Sequence, residues 1–178
     1  MLESLITSKT RIKLLLKFFL NSNTTSYLRG LEPEFDESTN AIRQELNRFE
    51  KAGLLLSELQ GNKKVYHANT SHPLFSDINS LLLKHVGLDK IIDKVISKLG
   101  MLDSVYLIGD LARGVNSNII DLLFVGDNID DSYLKELIAK VEEVLERKVK
   151  YLVLTIQGVQ DFLKTKPEND VLLLWSKE

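Results

Sequence analysis

A chain of 178 residues has room for one large or two small domains. Its 44% hydrophobic and 27% charged residues are those of an ordinary water-soluble protein, and the absence of cysteine excludes disulfides and thiol-based metal sensing or catalysis. No apolar run approaches the length of a membrane span and the start lacks a signal-peptide pattern, so a cytoplasmic protein without a membrane partner is expected. The net charge of −2 hides a mild tilt: residues 1–70 carry ten basic against eight acidic side chains, and the remainder thirteen against seventeen.

Ser8 has the position of a helix N-cap, and Ile12, Leu15, Leu16 and Phe19 recur on one face of the helix expected to follow, with Arg11, Lys13 and Lys17 off that face. Asn21-Ser22-Asn23 breaks the chain. A short second helix is expected over Thr25–Leu31, with Pro33 ending it or closing its loop. Ser38 then opens a third helix, Thr39–Ala52, stopped by Gly53. Its buried stripe is Ile42, Leu46 and Phe49, and its other face carries Thr39, Asn40, Arg43, Gln44, Asn47 and Arg48. Leu54–Leu59 and Val65–Ala68 read as strands on either side of Gln60-Gly61-Asn62-Lys63-Lys64, which predicts a β-hairpin with a basic tip.

Three short helices and a hairpin in this order are the pattern of a winged helix-turn-helix. The third helix then supplies the candidates for base contacts, Thr39, Asn40, Arg43, Gln44 and Asn47, because Arg matches guanine and Asn or Gln matches adenine in the major groove. Asn62, Lys63 and Lys64 are the candidates for the phosphate backbone. A helix with one polar face is equally what any solvated surface helix looks like. The run from Thr10-Arg-Ile-Lys-Leu-Leu through Asn40-Ala-Ile-Arg-Gln-Glu-Leu-Asn-Arg-Phe-Glu-Lys-Ala-Gly-Leu, however, resembles ArsR-type bacterial regulators. That resemblance implies double-stranded DNA as a partner. The metal-sensing branch of such proteins is not matched, since His67, His72 and His85 lack a close ligand spacing.

Residues 71–100 read as a helical connector. Phe75, Ile78, Leu81, Leu82 and His85 fall at helical spacing, and Gly87 interrupts the run before Ile91, Ile92, Val95, Ile96 and Leu99. The Phe75–Leu88 helix is a candidate for pairing two subunits into a homodimer, or for core packing within one.

From Met101 the pattern becomes α/β: strands over Ser104–Ile108, Ile119–Val125 and Val149–Thr155, helices over Ser132–Arg147 and Gln157–Lys164, and a closing apolar run at Asn169–Trp175. Between the first two strands, Gly109, the Ala112-Arg113-Gly114 turn and Asp121 resemble the nucleotidyltransferase signature, in which a strand, Gly-Ser, a turn and a second strand bearing Asp-x-Asp follow one another. Alternate residues of a strand share a face, so Asp-x-Asp aims two carboxylates at one metal. Here Ile119 stands at the first of those positions, Asp110 stands where the signature has serine, and the third strand carries no acid. Gly109, Asp110, Arg113 and Asp121 thus outline a degenerate nucleotide site. No catalytic residue, metal ligand or cofactor is assigned. Arg113 either holds a phosphate or carboxylate, or is paired internally with a neighbouring aspartate.

The fold class expected is α+β: an N-terminal winged helix-turn-helix domain over residues 1–70, the connector, and a small nucleotidyltransferase-like α/β domain with a mixed sheet over 101–178. The function expected is DNA-binding regulation, the second domain serving dimerisation, binding of a nucleotide or other ligand, or docking of a protein partner. An active nucleotidyltransferase and an antitoxin-like docking module are the alternatives.

Overall fold

The computed structural model describes residues 2–177, which divide into two compact units with the boundary between His85 and Val86. The boundary falls inside the stretch expected as a connector, so that stretch is shared between the units.

The first unit is a helical bundle carrying a small sheet. After a single turn, α1 (Leu2–Leu5), the helix α2 (Lys9–Leu15) starts at Ser8, whose Oγ accepts the Arg11 N–H at 3.2 Å. It widens into a π-helical turn over Leu16–Leu20. The expected apolar face is present, but Leu14, Phe18 and Leu20 are buried as well, so this helix is enclosed on most sides. Lys17, expected outside, is buried too. Its stem lies in the core and its ammonium reaches Glu34 at 2.9 Å, while Lys13 reaches Glu37 at 2.9 Å.

Thr25–Tyr27, expected as helix, is instead a strand, β1, because its backbone pairs with the hairpin (Ser26↔Tyr66, Tyr27↔Val65). The second helix, α3 (Leu28–Phe35), begins only after it. It also runs through Pro33, which was expected to end it or close its loop. In so short a helix the proline forfeits one internal hydrogen bond, and the chain turns out only at Asp36, whose φ of 49° is left-handed.

Helix α4 (Thr39–Lys51) follows its N-cap Ser38, whose Oγ accepts the Ala41 N–H at 3.2 Å. Ile42, Leu46 and Phe49 are 0%, 1% and 5% exposed, so each large side chain contributes about 1.5–3 kcal/mol of apolar burial. Strands β2 (Leu55–Gln60) and β3 (Lys63–Ala68) form the expected hairpin, with Gln60 opposite Lys63. Gly61 occupies the first turn position at φ 61°, and such a two-residue turn suits the twist of the strands. The sheet order is β1-β3-β2.

Helix α5 (Phe75–Val86) packs back on the π-helical turn: the Phe75 and Phe19 ring centroids lie 5.8 Å apart, and Asn79 Nδ2 donates to the Phe19 carbonyl at 2.7 Å. Part of its apolar face therefore belongs to the core of its own unit.

The second unit opens with α6 (Leu88–Lys94) after Gly87, at φ 92°; a Cβ there would lie 2.3 Å from Leu145 Cδ2, so only glycine fits. A mixed sheet of order β6-β5-β4-β7 follows. Strand β4 (Ser104–Ile108) leads through one helical turn, α7 (Gly109–Ala112), to the antiparallel β5 (Ile119–Val125). Helix α8 (Asp131–Glu142) returns the chain to β6 (Lys148–Leu154), parallel to β5. Helix α9 (Ile156–Lys164) then leads to the edge strand β7 (Val171–Ser176), antiparallel to β4.

Ile120, Leu122 and Phe124 are fully buried on one face of β5, and Leu123 and Val125 on the other, where Val159 and Phe162 of α9 cover them. A central strand buried on both faces is why this run reads as almost uninterrupted hydrophobicity. Helix α8 ends five residues before the expected Arg147, since a parallel crossover needs loop to reach the start of β6. Two charged residues of this stretch secure that loop. Glu142 Oε1 accepts the Val149 N–H at 2.7 Å, and Arg147 donates to the Ser117 carbonyl and to Asn116 Oδ1. The α+β class expected from the sequence is the one observed: a helical unit carrying a three-stranded sheet is followed by an α/β unit with a mixed four-stranded sheet. Among the described residues, no helix is long and apolar enough to cross a membrane.

Candidate functional site

In the first unit, the exposed face of α4, the start of α3 and the hairpin surround a cleft of about 530 Å³. Of the residues singled out in the sequence, Arg43, Asn47, Asn62, Lys63 and Lys64 line it. Thr39, Asn40 and Gln44 are on the first two turns of α4, outside the lining; Thr39 is half-buried and the other two are exposed. Tyr27, Arg29 and Tyr66 also line the cleft and were missed. Recognising them required β1, which places Tyr27 opposite Val65 and hence near the base of the hairpin tip.

The cations of the cleft differ in their surroundings. Among the described residues, Arg29, Arg43 and Lys63 form no ion pair. Lys63 Nζ lies 4.3 Å from the centre of the Tyr27 ring, a cation–π contact that orients the ammonium without neutralising it. Tyr27 is itself held against Gly30, where an added Cβ would lie 3.1 Å from Tyr27 Cε1. Lys64, by contrast, pairs with Glu50 of α4 at 2.7 Å, and Glu50 also accepts the Ser57 hydroxyl at 2.5 Å. Hydrogen bonds from Lys64 and then Ser57 hold the Glu50 carboxyl below its ordinary range, and the bond to Glu50 raises the Lys64 ammonium above its own. Among the described residues, no carboxylate lines the cleft. Unneutralised guanidinium and ammonium groups beside amide donors and two tyrosines suit a polyanion with flat, partly apolar surfaces.

Helix α4 is anchored behind that face. Glu45 is only 5% exposed, and its carboxylate accepts Arg11 Nε at 3.0 Å, Arg11 Nη2 at 3.1 Å, Ser8 Oγ at 3.2 Å and Arg48 Nη1 at 3.0 Å. Burial pushes this carboxyl up, but the bonds and charge of Arg11, with Ser8 and Arg48, outweigh it and leave the group below its ordinary range. Of the histidines, His72 serves a turn, its Nδ1 accepting the Leu74 N–H at 3.1 Å.

In the second unit, Gly109, Arg113 and Asp121 come together around a pocket of about 290 Å³, with Ile108, Lys166 and Asp170 completing the lining. Gly109 has φ 73°, and a Cβ on it would fall 2.7 Å from Asp121 Oδ2, so the turn and the aspartate meet at a distance only glycine allows. Asp110 is outside the lining and forms an ion pair with Arg113, the internal pairing weighed above as one reading of that arginine. Across the parallel ladder Asp121 stands in register with Lys150. Lys166 and Asp170 were missed because they arrive from the segment between α9 and β7, with no local pattern to connect them to Asp121. Among the described residues, no group of three or more His, Asp or Glu side chains is arranged to hold a metal ion.

No protein-family model matches the chain, and no curated protein sequence does. Among solved structures, AF1382 from Archaeoglobus fulgidus is similar at 15% identity and a TM-score of 0.39, over 48% of this chain and 97% of that one. A mutant of the toxin–antitoxin MntA-HpeT is similar at 22% identity and 0.41, over 52% of this chain and 74% of that one. A structure from Sulfolobus solfataricus described as a nucleotidyltransferase is similar at 29% identity and 0.35, over 51% and 78% of the two chains. Likenesses of this size do not assign a family.

Proposed function

We propose that the chain is a DNA-binding transcriptional regulator. The observation that carries this reading is the cleft beside α4, where Arg29, Arg43 and Lys63 have no acidic partner among the described residues and no carboxylate intervenes. The helical unit acts as a winged helix-turn-helix. The exposed face of α4 enters the major groove, with Arg43 and Asn47 reading base edges, and the hairpin lies along the phosphate backbone. A homodimer would present two such helices to two half-sites.

The second unit, in this reading, is a nucleotidyltransferase-like scaffold without transferase activity, used for pairing, for ligand binding or for docking. The support is local. Ile119 takes the place of one carboxylate, Asp110 is occupied by Arg113, and a lysine stands in register with Asp121.

Fluorescence anisotropy against the DNA upstream of the chain's own coding region, with a scrambled duplex as control and each at two salt concentrations, tests the first part. Tight binding of the native duplex that survives moderate salt is expected. Equal weak binding of both duplexes, followed by failure of a random-sequence selection, would overturn it. Incubation with labelled nucleoside triphosphates and Mg²⁺ tests the second part, and incorporation abolished by Asp121→Ala would make the protein an enzyme.

A further inference from the structure

We infer that Arg29 and Lys63 carry the sequence-independent grip of the cleft on a nucleic-acid backbone, and that Glu50 withholds Lys64 from it so that Lys64 fixes the hairpin to α4. The inference rests on the DNA-binding reading and divides the basic residues of that site by their surroundings. Lys63 and Lys64 are adjacent in β3, and the sequence treats them as equivalent. The structure does not.

Lys64 is bound at 2.7 Å to a carboxylate that also takes the Ser57 hydroxyl of β2, so the pair joins α4 to both strands of the hairpin. A phosphate approaching Lys64 would have to displace Glu50, leaving that carboxylate exposed to the phosphate's own charge. A neutral pair neutralises no phosphate and so displaces none of the cations condensed on the DNA, adding nothing to the counterion release that gives affinity its salt dependence. Lys63 has a ring beneath it and no carboxylate beside it, so its full charge is available. Arg29, the second residue of α3, lines the same cleft with no ion pair among the described residues, and its planar fork matches two phosphate oxygens. Lys64 is thus a positioning residue, and Arg29 a contact that the sequence pattern alone does not single out.

The test is the slope of log affinity against log salt for a mixed-sequence duplex, measured by anisotropy on the full chain. Lys63→Gln and Arg29→Gln should each reduce the magnitude of the slope by about 0.9, one phosphate contact. The double change Lys64→Gln with Glu50→Gln, which removes the pair without stranding a carboxylate, should leave the slope unchanged while lowering affinity by a similar factor at every salt concentration, and Lys64→Arg alone should keep wild-type affinity and slope. Circular dichroism of each variant confirms that it is folded. A slope of the double variant reduced as much as that of Lys63→Gln, or a Lys63→Gln slope equal to wild type, overturns the assignment while leaving DNA binding intact. A wild-type chain with no salt-dependent binding overturns the parent reading, and this inference with it.

Discussion

Replacing Glu45 by Gln removes one charge and almost no volume, and it tests what holds the candidate recognition helix in place. The carboxylate receives four hydrogen bonds, two of them the paired donors of Arg11, and is 5% exposed. A hydrogen bond to a charged group contributes about 1.5–3 kcal/mol, but solvent reaches Arg11, whose side chain is 38% exposed, and reaches Arg48 more freely at 62%. Arg48 therefore adds only tenths, and the amide of Gln turns one acceptor into a donor facing donors. The expected loss for Glu45→Gln is about 2 kcal/mol in urea unfolding followed by far-ultraviolet circular dichroism, or roughly 10 °C in midpoint for a unit of this size. Arg48→Gln should lose less than about 0.5 kcal/mol.

The pH dependence of Glu45→Gln has a definite sign. Glu45 is held below its ordinary range in the folded chain, so its contribution is complete above the unfolded carboxyl range and disappears as pH falls through the lower folded value. The difference between wild type and Glu45→Gln should be constant from pH 7 to about pH 5 and should shrink below about pH 4, the range of free glutamate. Hydrogen exchange over residues 39–51 should locate the loss in α4. A variant within about 0.5 kcal/mol of wild type at pH 7, or a deficit undiminished at pH 3, would refute this account of the anchor.

Three further outcomes follow from particular contacts. Arg43→Ala should cost about 1–3 kcal/mol of binding to the preferred DNA site and relax specificity at one base pair, as read by anisotropy on matched and substituted duplexes; unchanged affinity would remove Arg43 from base reading. Leu46→Ala, which opens a cavity on the buried stripe of α4, should lower stability by about 2–5 kcal/mol in the same urea assay, and a loss under 1 kcal/mol would show that the stripe is not packed as described. Gly109→Ala should destabilise the second unit through both its left-handed backbone and its approach to Asp121, and Asp121→Ala should recover part of that loss but not all. Full additivity of the two changes in thermal unfolding would mean that they do not touch.

What could be read in advance divides along physical lines. Helix α4 was legible at nearly its full length because its cap, its apolar spacing and its terminal glycine all act within the helix itself. The hairpin and the break at Gly87 were legible for the same local reason. β1 was not, because three residues carry no periodicity and their extended form comes from pairing with a strand forty residues away. That error also hid part of the cleft, since the pairing places Tyr27 beside the hairpin and Arg29 follows two residues later. The burial of Lys17 escaped because a charged residue at a polar register gives no sign that Glu34 will meet it. In the second unit, Gly109, Arg113 and Asp121 were found as a motif and do converge, whereas Lys166 and Asp170 enter through tertiary structure alone.

The two candidate sites also differ in how much charge each has left to give. In the second unit the balance is largely internal: Asp110 occupies Arg113, and Asp121 shares its pocket with Lys166 and Asp170. Summed over its lining, Arg113 and Lys166 face Asp121 and Asp170, so neither a metal ion nor a triphosphate meets a field of one sign there. The cleft of the first unit is different, for Glu50 is spent on Lys64, while Arg29, Arg43 and Lys63 form no ion pair among the described residues. A polyanion gains from every such cation, and the gain falls with salt in proportion to their number. Binding should therefore weaken steeply with salt for DNA at the first site, while a nucleotide at the second site should bind weakly at any salt. Isothermal titration with ATP at low and moderate salt checks the latter, and micromolar affinity that collapses with salt would show that the second pocket retains an anion-binding field.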